Sequence, residues 1–181
     1  MATDGGPLAP FGSGTDGLTL VKTSWIHSDF TLQASDGRVV AHLDYGLTGS
    51  ASGYTADGSW KLSRPKGVFR PHIEVSDLAT GTRVADVDLR VWSRGGSVQL
   101  AGATYEVSAT GMFKARWSLR REGTEIVTVA ETGSLGATKA RLTVSRDDEH
   151  APLLVLLVVH AMVSHERQSQ GGAVVAVAGG G

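Results

Sequence analysis

Cysteine is absent from this chain of 181 residues. Without thiols the protein forms no disulfide framework and no thiolate metal site, and S-palmitoylation is excluded. An excess of charge of one sign is also missing, because 17 lysines and arginines are balanced by 18 acidic residues, for a formal net charge of -1. No global field therefore recruits nucleic acid or a membrane, and any affinity for anions has to come from a local patch. We expect no nucleic-acid partner.

Long hydrophobic runs are scarce as well. The longest, Pro152–Val163, has about a dozen residues, whereas a membrane-spanning helix needs about 20. Residues 1–17 are mostly small or polar and lack the basic start and apolar stretch of a secretory signal. We therefore expect no transmembrane span, a flexible lead-in over residues 1–17 and a cytoplasmic location.

From Leu18 onward the chain alternates apolar and polar residues, interrupted by glycine and aspartate. In Val87–Val91 and Phe113–Leu119 every second side chain is apolar, which is typical of strands with one wet and one dry face. The pattern predicts strands over residues 18–22, 27–34, 38–45, 53–62, 68–77, 83–93, 97–101, 104–109, 112–121, 124–131 and 138–145. About eleven strands at spacings near ten residues indicate a closed antiparallel barrel or a sandwich.

The run Pro152–Val163 follows these strands and is apolar on every side if it is helical. A surface helix has a polar face, so a helix without one has to be buried all round. Asp147 or Asp148 is suited to cap such a helix, and Pro152 is tolerated in its first turn. We predict a helix over residues 152–168 surrounded by the sheet, and a low-complexity tail over 169–181. A central strand is the alternative interpretation of this run.

The order of many antiparallel strands followed by a hydrophobic helix resembles the tubby C-terminal-like superfamily, which includes LURP-one-related and phospholipid scramblase-like proteins. The matching landmarks are Gly102–Val107, Phe113–Gly123 and the helix from Pro152. The resemblance covers most of residues 18–168. It implies a mostly β fold, in which an antiparallel closed β-barrel of about twelve strands encloses a C-terminal hydrophobic α-helix.

The resemblance also implies a class of function, namely a soluble, non-enzymatic binding domain. Some superfamily members bind phosphoinositide headgroups through basic side chains on the barrel, and others are called scramblases. This chain lacks the cysteine-rich palmitoylation segment, the long proline-rich N-terminal region and the calcium loop of the scramblases. We therefore do not expect lipid scrambling.

Basic side chains form the best candidate binding site. They lie on the polar side of two predicted strands, 112–121 and 138–145, with Arg121 at the adjoining turn. If the two strands share one region of sheet, five cations face outward together. We call this set the outer basic face: Lys114, Arg116, Arg120, Lys139 and Arg141. Such a face suits phosphate groups or an anionic lipid surface, to which it would bind peripherally. The alternative is that these charges only keep a barrel soluble.

Histidines and acidic residues are weaker candidates. His160 lies within the apolar run, where a neutral imidazole hydrogen-bonded in the core is the simplest account. The pairs His42 with Asp44 and His72 with Glu74 share a strand face and have the types of residue that acid–base catalysis uses. The sequence contains no phosphate loop, dinucleotide fingerprint, nucleophile elbow or zinc-protease motif. We expect no cofactor and no metal.

Three classes of function follow, in decreasing order of support. The first is binding of an anionic lipid or a phosphorylated ligand at the outer basic face. The second is a protein-interaction or scaffold domain, in which Trp92, exposed by strand parity, contacts a partner. The third is an enzyme, which has the least support because a barrel filled by its own helix leaves no internal cavity for a substrate.

Overall fold

The structure is a computed structural model that describes residues 7–11, 17–23, 29–46, 50–64, 72–90, 95–111, 116–132, 138–145 and 148–177. Within these residues the chain forms twelve strands and one helix. The strands are β1 (Leu18–Lys22), β2 (Phe30–Gln33), β3 (Val39–Tyr45), β4 (Ala51–Thr55), β5 (Gly58–Ser63), β6 (His72–Asp77), β7 (Arg83–Arg90), β8 (Gly95–Leu100), β9 (Ala103–Thr110), β10 (Arg116–Arg121), β11 (Thr124–Glu131) and β12 (Thr138–Val144). The helix is α1 (Ala151–Val177).

Each strand pairs antiparallel with its neighbours in sequence, and β1 pairs with β12, where Leu18 is opposite Leu142. The sheet is therefore a closed up-and-down barrel. Closure pairs the strands on both sides and leaves no sheet edge exposed to other chains. The predicted fold class, a closed antiparallel barrel of about twelve strands enclosing a C-terminal hydrophobic helix, is confirmed.

One predicted strand, 53–62, is in fact the hairpin formed by β4 and β5. The chain reverses at Ala56 and Asp57, and Thr55 is opposite Gly58. The Thr55 Oγ1 atom accepts a hydrogen bond from the Asp57 N–H at 3.1 Å, which closes the turn locally. An Asp-Gly pair is a strong turn signal, and it outweighs the apolar alternation that continues through it. The strand count rises from eleven to twelve for this reason.

The helix α1 fills the barrel. Its residues Leu154–Val159 are each no more than 2% exposed. Successive residues of a helix point about 100° apart, because a turn contains 3.6 residues. Six consecutive buried residues therefore show that this part of the helix is enclosed on all sides. Against it pack the inward-facing side chains of the strands, among them Leu20, Leu62 and Val98.

Gly53 on β4 shows how closely the barrel wall approaches the helix. A Cβ atom placed on this glycine would lie 2.8 Å from Leu156 Cδ1 of α1, which is closer than real carbon contacts. The strand therefore needs a residue without a side chain here so that Leu156 can occupy the lumen. No such requirement was expected from the sequence, because nothing in it relates Gly53 to Leu156.

The helix differs from its prediction at both ends. It begins at Ala151 after an Asp148 turn, in which the backbone O of Asp148 accepts from the Ala151 N–H and Oδ1 accepts from the His150 N–H. Asp147 lies outside the described residues. The backbone of α1 continues to Val177, beyond the predicted end at Gln168, since extending a helix costs far less than starting one. No helix in the described part of the chain is long and apolar enough to cross a bilayer.

Tight hairpins and the start of α1 lie at the same end of the barrel, which we call the tight-turn end. Two of these hairpins turn through consecutive residues with positive φ. These are Ala101 and Gly102 between β8 and β9, and Glu122 and Gly123 between β10 and β11. Positive φ at both central positions matches the right-handed twist of the paired strands. The tight-turn end is thus built from short connections around the helix N-terminus.

Candidate functional site

The outer basic face lies on the barrel wall formed by β10, β11 and β12. Register places Ala130 of β11 opposite both Arg116 of β10 and Arg141 of β12. The two arginines are therefore in one row, with their backbones about 10 Å apart, because neighbouring strands are about 4.8 Å apart. Lys139 is two residues from Arg141 on the same outer side of β12. Lys114 lies outside the described residues.

Glu125 on β11 neutralises part of this face. Its Oε1 is 2.8 Å from Arg120 Nη2, and its Oε2 is 3.6 Å from Arg116 Nη2. The Arg120 hydrogen bond, with the positive charges of Arg120 and Arg116, lowers the pKa of Glu125 below its ordinary value. Glu106 of β9 is also opposite Arg120 in register. The cations that the sequence grouped together therefore have acidic neighbours that strand parity did not reveal.

Arg141 and Lys139 differ from the two arginines of β10. Arg141 is exposed and Lys139 is half-buried. Neither side chain has an ion-pair or hydrogen-bond partner among the described residues. The structure thus brings together Arg116, Lys139 and Arg141. These three residues form the part of the outer basic face where positive charge is least neutralised. Arg120 is occupied by Glu125.

Arg121 belongs to a different environment. Its guanidinium carbon lies 5.8 Å from the centre of the Tyr105 ring, and its Nη1 is 3.9 Å from Asp148 Oδ2. The Tyr105 hydroxyl donates to Asp148 Oδ2 at 3.0 Å within the barrel interior. Arg121 therefore packs over the Tyr105–Asp148 hydrogen bond, which holds the start of the helix at the tight-turn end. It does not extend the outer basic face.

His160 is hydrogen-bonded in the core, as the sequence predicts. Its Nδ1 is 3.0 Å from the Tyr45 hydroxyl, and the two rings stack with centroids 5.4 Å apart. His165 contacts the edge of Trp117 nearer the other end of the helix. The two histidines have different neighbours, in keeping with their separation around the helix.

His72 has partners other than the predicted Glu74. Its Nδ1 is 2.7 Å from Asp88 Oδ1, and its Nε2 is 3.1 Å from Asp86 Oδ1, both on β7. Glu74 instead pairs with Arg83 at 3.0 Å. These groups lie on the outer wall, where register places His72 opposite Asp88. Within the described residues no group of histidine and acidic side chains is arranged to hold a metal ion.

His42 and Asp44 lie together on the outside of β3. Burial and the negative charge of Asp29 raise the pKa of Asp44, and the neighbouring His42 partly offsets them. Neither this pair nor His72 lines the pocket described next. Neither predicted acid–base pair therefore contributes to that pocket.

A pocket of about 430 Å³ opens at the tight-turn end, and we call it the rim pocket. Its apolar lining comes from β5, β7, β8 and the first turn of α1, namely Trp60, Val84, Leu100, Pro152 and Leu153. Its polar lining consists of Asp57, Glu149 and His150. The helix fills the lumen, and this pocket lies on the rim.

The rim pocket was not predicted from the sequence. Its members are scattered between Asp57 and Leu153, and no local motif connects them. One signal was present: in an up-and-down barrel every second turn lies at the same end, which places the β4–β5 turn, the β8–β9 turn and the helix start together. The missed Asp57-Gly58 hairpin concealed that signal, because merging β4 with β5 puts the later turns at the wrong ends.

The fold and these surfaces define the class of the protein as a closed antiparallel barrel filled by its own C-terminal helix. No family model and no curated protein matches the chain. A solved structure of a protein from Arabidopsis thaliana aligns with 88% of this chain and 99% of its own, with a TM-score of 0.36 and 12% identity. A likeness of this degree carries no argument about function.

Proposed function

We propose that this chain is a non-enzymatic binding domain that recognises anionic lipid headgroups through the outer basic face, peripherally and without a transmembrane span. The observation that supports the proposal most is the side chain of Arg141, which is exposed and has no acidic partner among the described residues. Lys139 lies beside it on β12, and Arg116 lies across β11 in the same row. A cation without a partner is available to a ligand.

The arrangement suits phosphate chemistry. Guanidinium groups bind phosphate oxygens through two parallel hydrogen bonds, which a lysine does not provide. Two arginines whose backbones are about 10 Å apart, with a lysine beside one of them, present several donors on a single wall of the barrel. Each cation near an anionic membrane contributes about 1 kcal/mol to binding. Three such groups support weak, reversible attachment that depends on salt.

Vesicle flotation tests the proposal. Vesicles containing phosphatidylserine or phosphatidylinositol phosphates are compared with phosphatidylcholine vesicles at low and high salt. We expect the wild-type chain to bind the anionic vesicles at low salt and to be released by high salt. Arg141→Ala is expected to weaken this binding about fivefold, because it removes one cation from the surface. Arg116→Glu together with Arg141→Glu is expected to abolish it.

Two variants serve as controls. Lys61→Glu makes the same type of change on the outer face of β5, on the opposite wall, and should leave binding unchanged if the effect is local. Glu125→Gln removes the acidic neighbour of Arg116 and Arg120 and should strengthen binding. Soluble inositol phosphates form a further arm, because competition by them shows that the headgroup is recognised. Binding that ignores lipid charge would contradict the proposal and favour the protein-interaction alternative.

A further inference from the structure

The rim pocket and the outer basic face are formed by different strands, and they differ in polarity and charge. Its volume of about 430 Å³ is within the range of small-molecule sites, which is about 300–1,000 Å³. The floor is formed by Leu100 and Leu153, which are each 5% exposed, and Trp60 and Val84 are half-buried beside them. An apolar floor with a few polar groups above it is the usual composition of a small-molecule site.

The charges at the mouth of this pocket are negative. Asp57 is exposed in the β4–β5 turn, and its carboxylate has no hydrogen-bond or ion-pair partner among the described residues. The side chain of Glu149 is 87% exposed, and its Oε1 is 3.6 Å from His150 Nε2. No lysine or arginine lines the pocket. Two carboxylates above an apolar floor favour a ligand of positive charge.

The start of α1 does not reverse this preference. A helix N-terminus attracts anions through its unpaired N–H groups and its dipole. Here Pro152 has no N–H, the Ala151 N–H donates to the Asp148 backbone, and the His150 N–H donates to the Asp148 carboxylate. The buried carboxylate of Asp148 adds further negative charge close to the helix start. At the helix start the N–H groups of His150 and Ala151 are therefore already satisfied by Asp148, and Pro152 supplies none.

Trp60 adds a group that recognises cations. Indole is the aromatic ring that attracts ammonium groups most strongly through its electron-rich face. Trp60 lines the pocket together with Asp57 of the adjacent turn. A six-membered-ring atom of this indole would lie 2.9 Å from a Cβ atom placed on Gly58, so Gly58 leaves the space that the indole occupies. The turn thus positions a carboxylate and an indole at the same pocket.

From these observations we infer that the rim pocket binds a small organic ammonium ion that carries an apolar substituent. The substituent occupies the floor formed by Leu100, Leu153 and Val84. The ammonium group lies near Trp60 and the carboxylates of Asp57 and Glu149. The inference concerns a ligand of opposite charge from that of the outer basic face, and it does not rest on the proposed function.

A charge series of ligands with one shared apolar group tests the inference. Phenethylamine is a cation near neutral pH, phenethyl alcohol is uncharged, and phenylpropionate is an anion. Each is titrated into the isotopically labelled full-length chain, and amide shifts in the β4–β5 turn, in β8 and at the start of α1 are followed by NMR. We expect the amine to bind at least about fivefold more tightly than the alcohol, and the anion to bind most weakly.

Variants assign the preference to the named groups. Asp57→Asn and Glu149→Gln are exposed substitutions that should each weaken amine binding about two- to fivefold, without changing binding of the alcohol. Trp60→Leu keeps an apolar side chain and should lower the ratio of amine to alcohol affinity. Glu106→Gln on the outer wall of β9 removes the same type of charge away from the rim pocket and should leave the affinities for all three ligands unchanged.

Three results would overturn the inference. They are equal affinity for the amine and the alcohol, preference for the anion, and shifts that map outside the rim pocket or are absent for all three ligands. A negative result in this test would leave the proposal of lipid binding standing, because none of its variants changes Arg116, Lys139 or Arg141. The two conclusions are therefore tested separately.

Discussion

Single side chains at the tight-turn end connect the barrel to its helix. Tyr105 of β9 is fully buried, and Asp148, just before α1, is 8% exposed. A carboxylate removed from water to this extent is costly unless hydrogen bonds satisfy it. Asp148 accepts them from the Tyr105 hydroxyl and from the His150 N–H. Asp148 therefore organises the start of the helix and attaches it to a strand 43 residues away.

Tyr105→Phe tests this attachment. The substitution keeps the ring and removes the hydroxyl, so Asp148 loses a buried donor. We expect the free energy of unfolding to fall by about 1–3 kcal/mol, the usual effect of leaving a buried polar group unpaired. Urea denaturation at neutral pH, followed by circular dichroism, measures the difference. A change within experimental error would show that Arg121 or solvent replaces the donor.

The same tyrosine predicts a response to alkaline pH. Burial, together with the hydrogen bond to Asp148 and its negative charge, raises the pKa of Tyr105, and Arg121 offsets this in part. Because the folded state holds the phenolic proton more tightly than the unfolded chain, this stability is fully present below the ordinary tyrosine pKa of about 10. It is lost as pH rises through the folded-state pKa. We expect wild type to lose more stability than Tyr105→Phe in this window.

At the scale of elements, one helix and twelve strands depend on each other for burial. The inward faces of the strands are apolar because they contact α1, and α1 lacks a polar face over Leu154–Val159 because strands surround it. Protein interiors are packed as densely as organic crystals, so adding or removing a single methyl group changes the free energy of unfolding. At the contact between Gly53 and Leu156 the barrel wall lies so close to the helix that a Cβ atom on residue 53 would overlap the leucine.

A double-mutant cycle at this contact gives a sharp prediction. Gly53→Ala is expected to lower the free energy of unfolding by about 1–3 kcal/mol, because its methyl group overlaps Leu156. Leu156→Ala is expected to cost about 2–5 kcal/mol, because it leaves a cavity. In the Leu156→Ala background the added methyl enters that cavity, so the double variant should be more stable than the sum of the single effects predicts.

Gly17→Ala is the matched control for this cycle. It makes the same substitution in front of β1, where a new Cβ would have no atom within 4 Å, and its effect on unfolding should be small. Additive effects of Gly53→Ala and Leu156→Ala would contradict the contact.

At the scale of the whole molecule, the helix is part of the barrel's core. The nine large apolar side chains between Leu153 and Val163 are all buried. Their burial contributes on the order of 15–25 kcal/mol as an upper estimate. A domain retains only about 5–15 kcal/mol of net stability. We therefore expect the sheet to have no stable closed form without α1.

Two truncations test this dependence. A chain that stops after Ser145 should lack a cooperative unfolding transition and should bind a hydrophobic dye, because the inward faces of the strands lose their partner. A chain that stops after Glu166 keeps every buried residue of α1 through Val163 and should unfold cooperatively. Cooperative folding of the shorter chain, measured by thermal melting, would mean that the sheet closes on itself.

The sequence predicted some features of the protein correctly and missed others. The strands, the apolar helix and the buried His160 follow from period and hydrophobicity, which are local properties. The hairpin at Asp57 was missed because alternation continued through a turn signal. The outer basic face was predicted by parity on β10 and β12, but its charge balance was not. Glu125 meets Arg116 and Arg120 because β11 separates the two basic strands, which parity on either strand does not reveal.

The sequence alone predicted an apolar helix enclosed by amphipathic strands, since this arrangement hides both from water, although it left a central strand open as the alternative. Tertiary structure alone decided which distant residues come together: Tyr45 with His160, Tyr105 with Asp148, Gly53 with Leu156, and Trp60 with Leu153 in the lining of the rim pocket. The physical reason is that burial depends on the character of each residue, whereas hydrogen bonds, ion pairs and pockets depend on register and closure. Those are properties of the whole barrel.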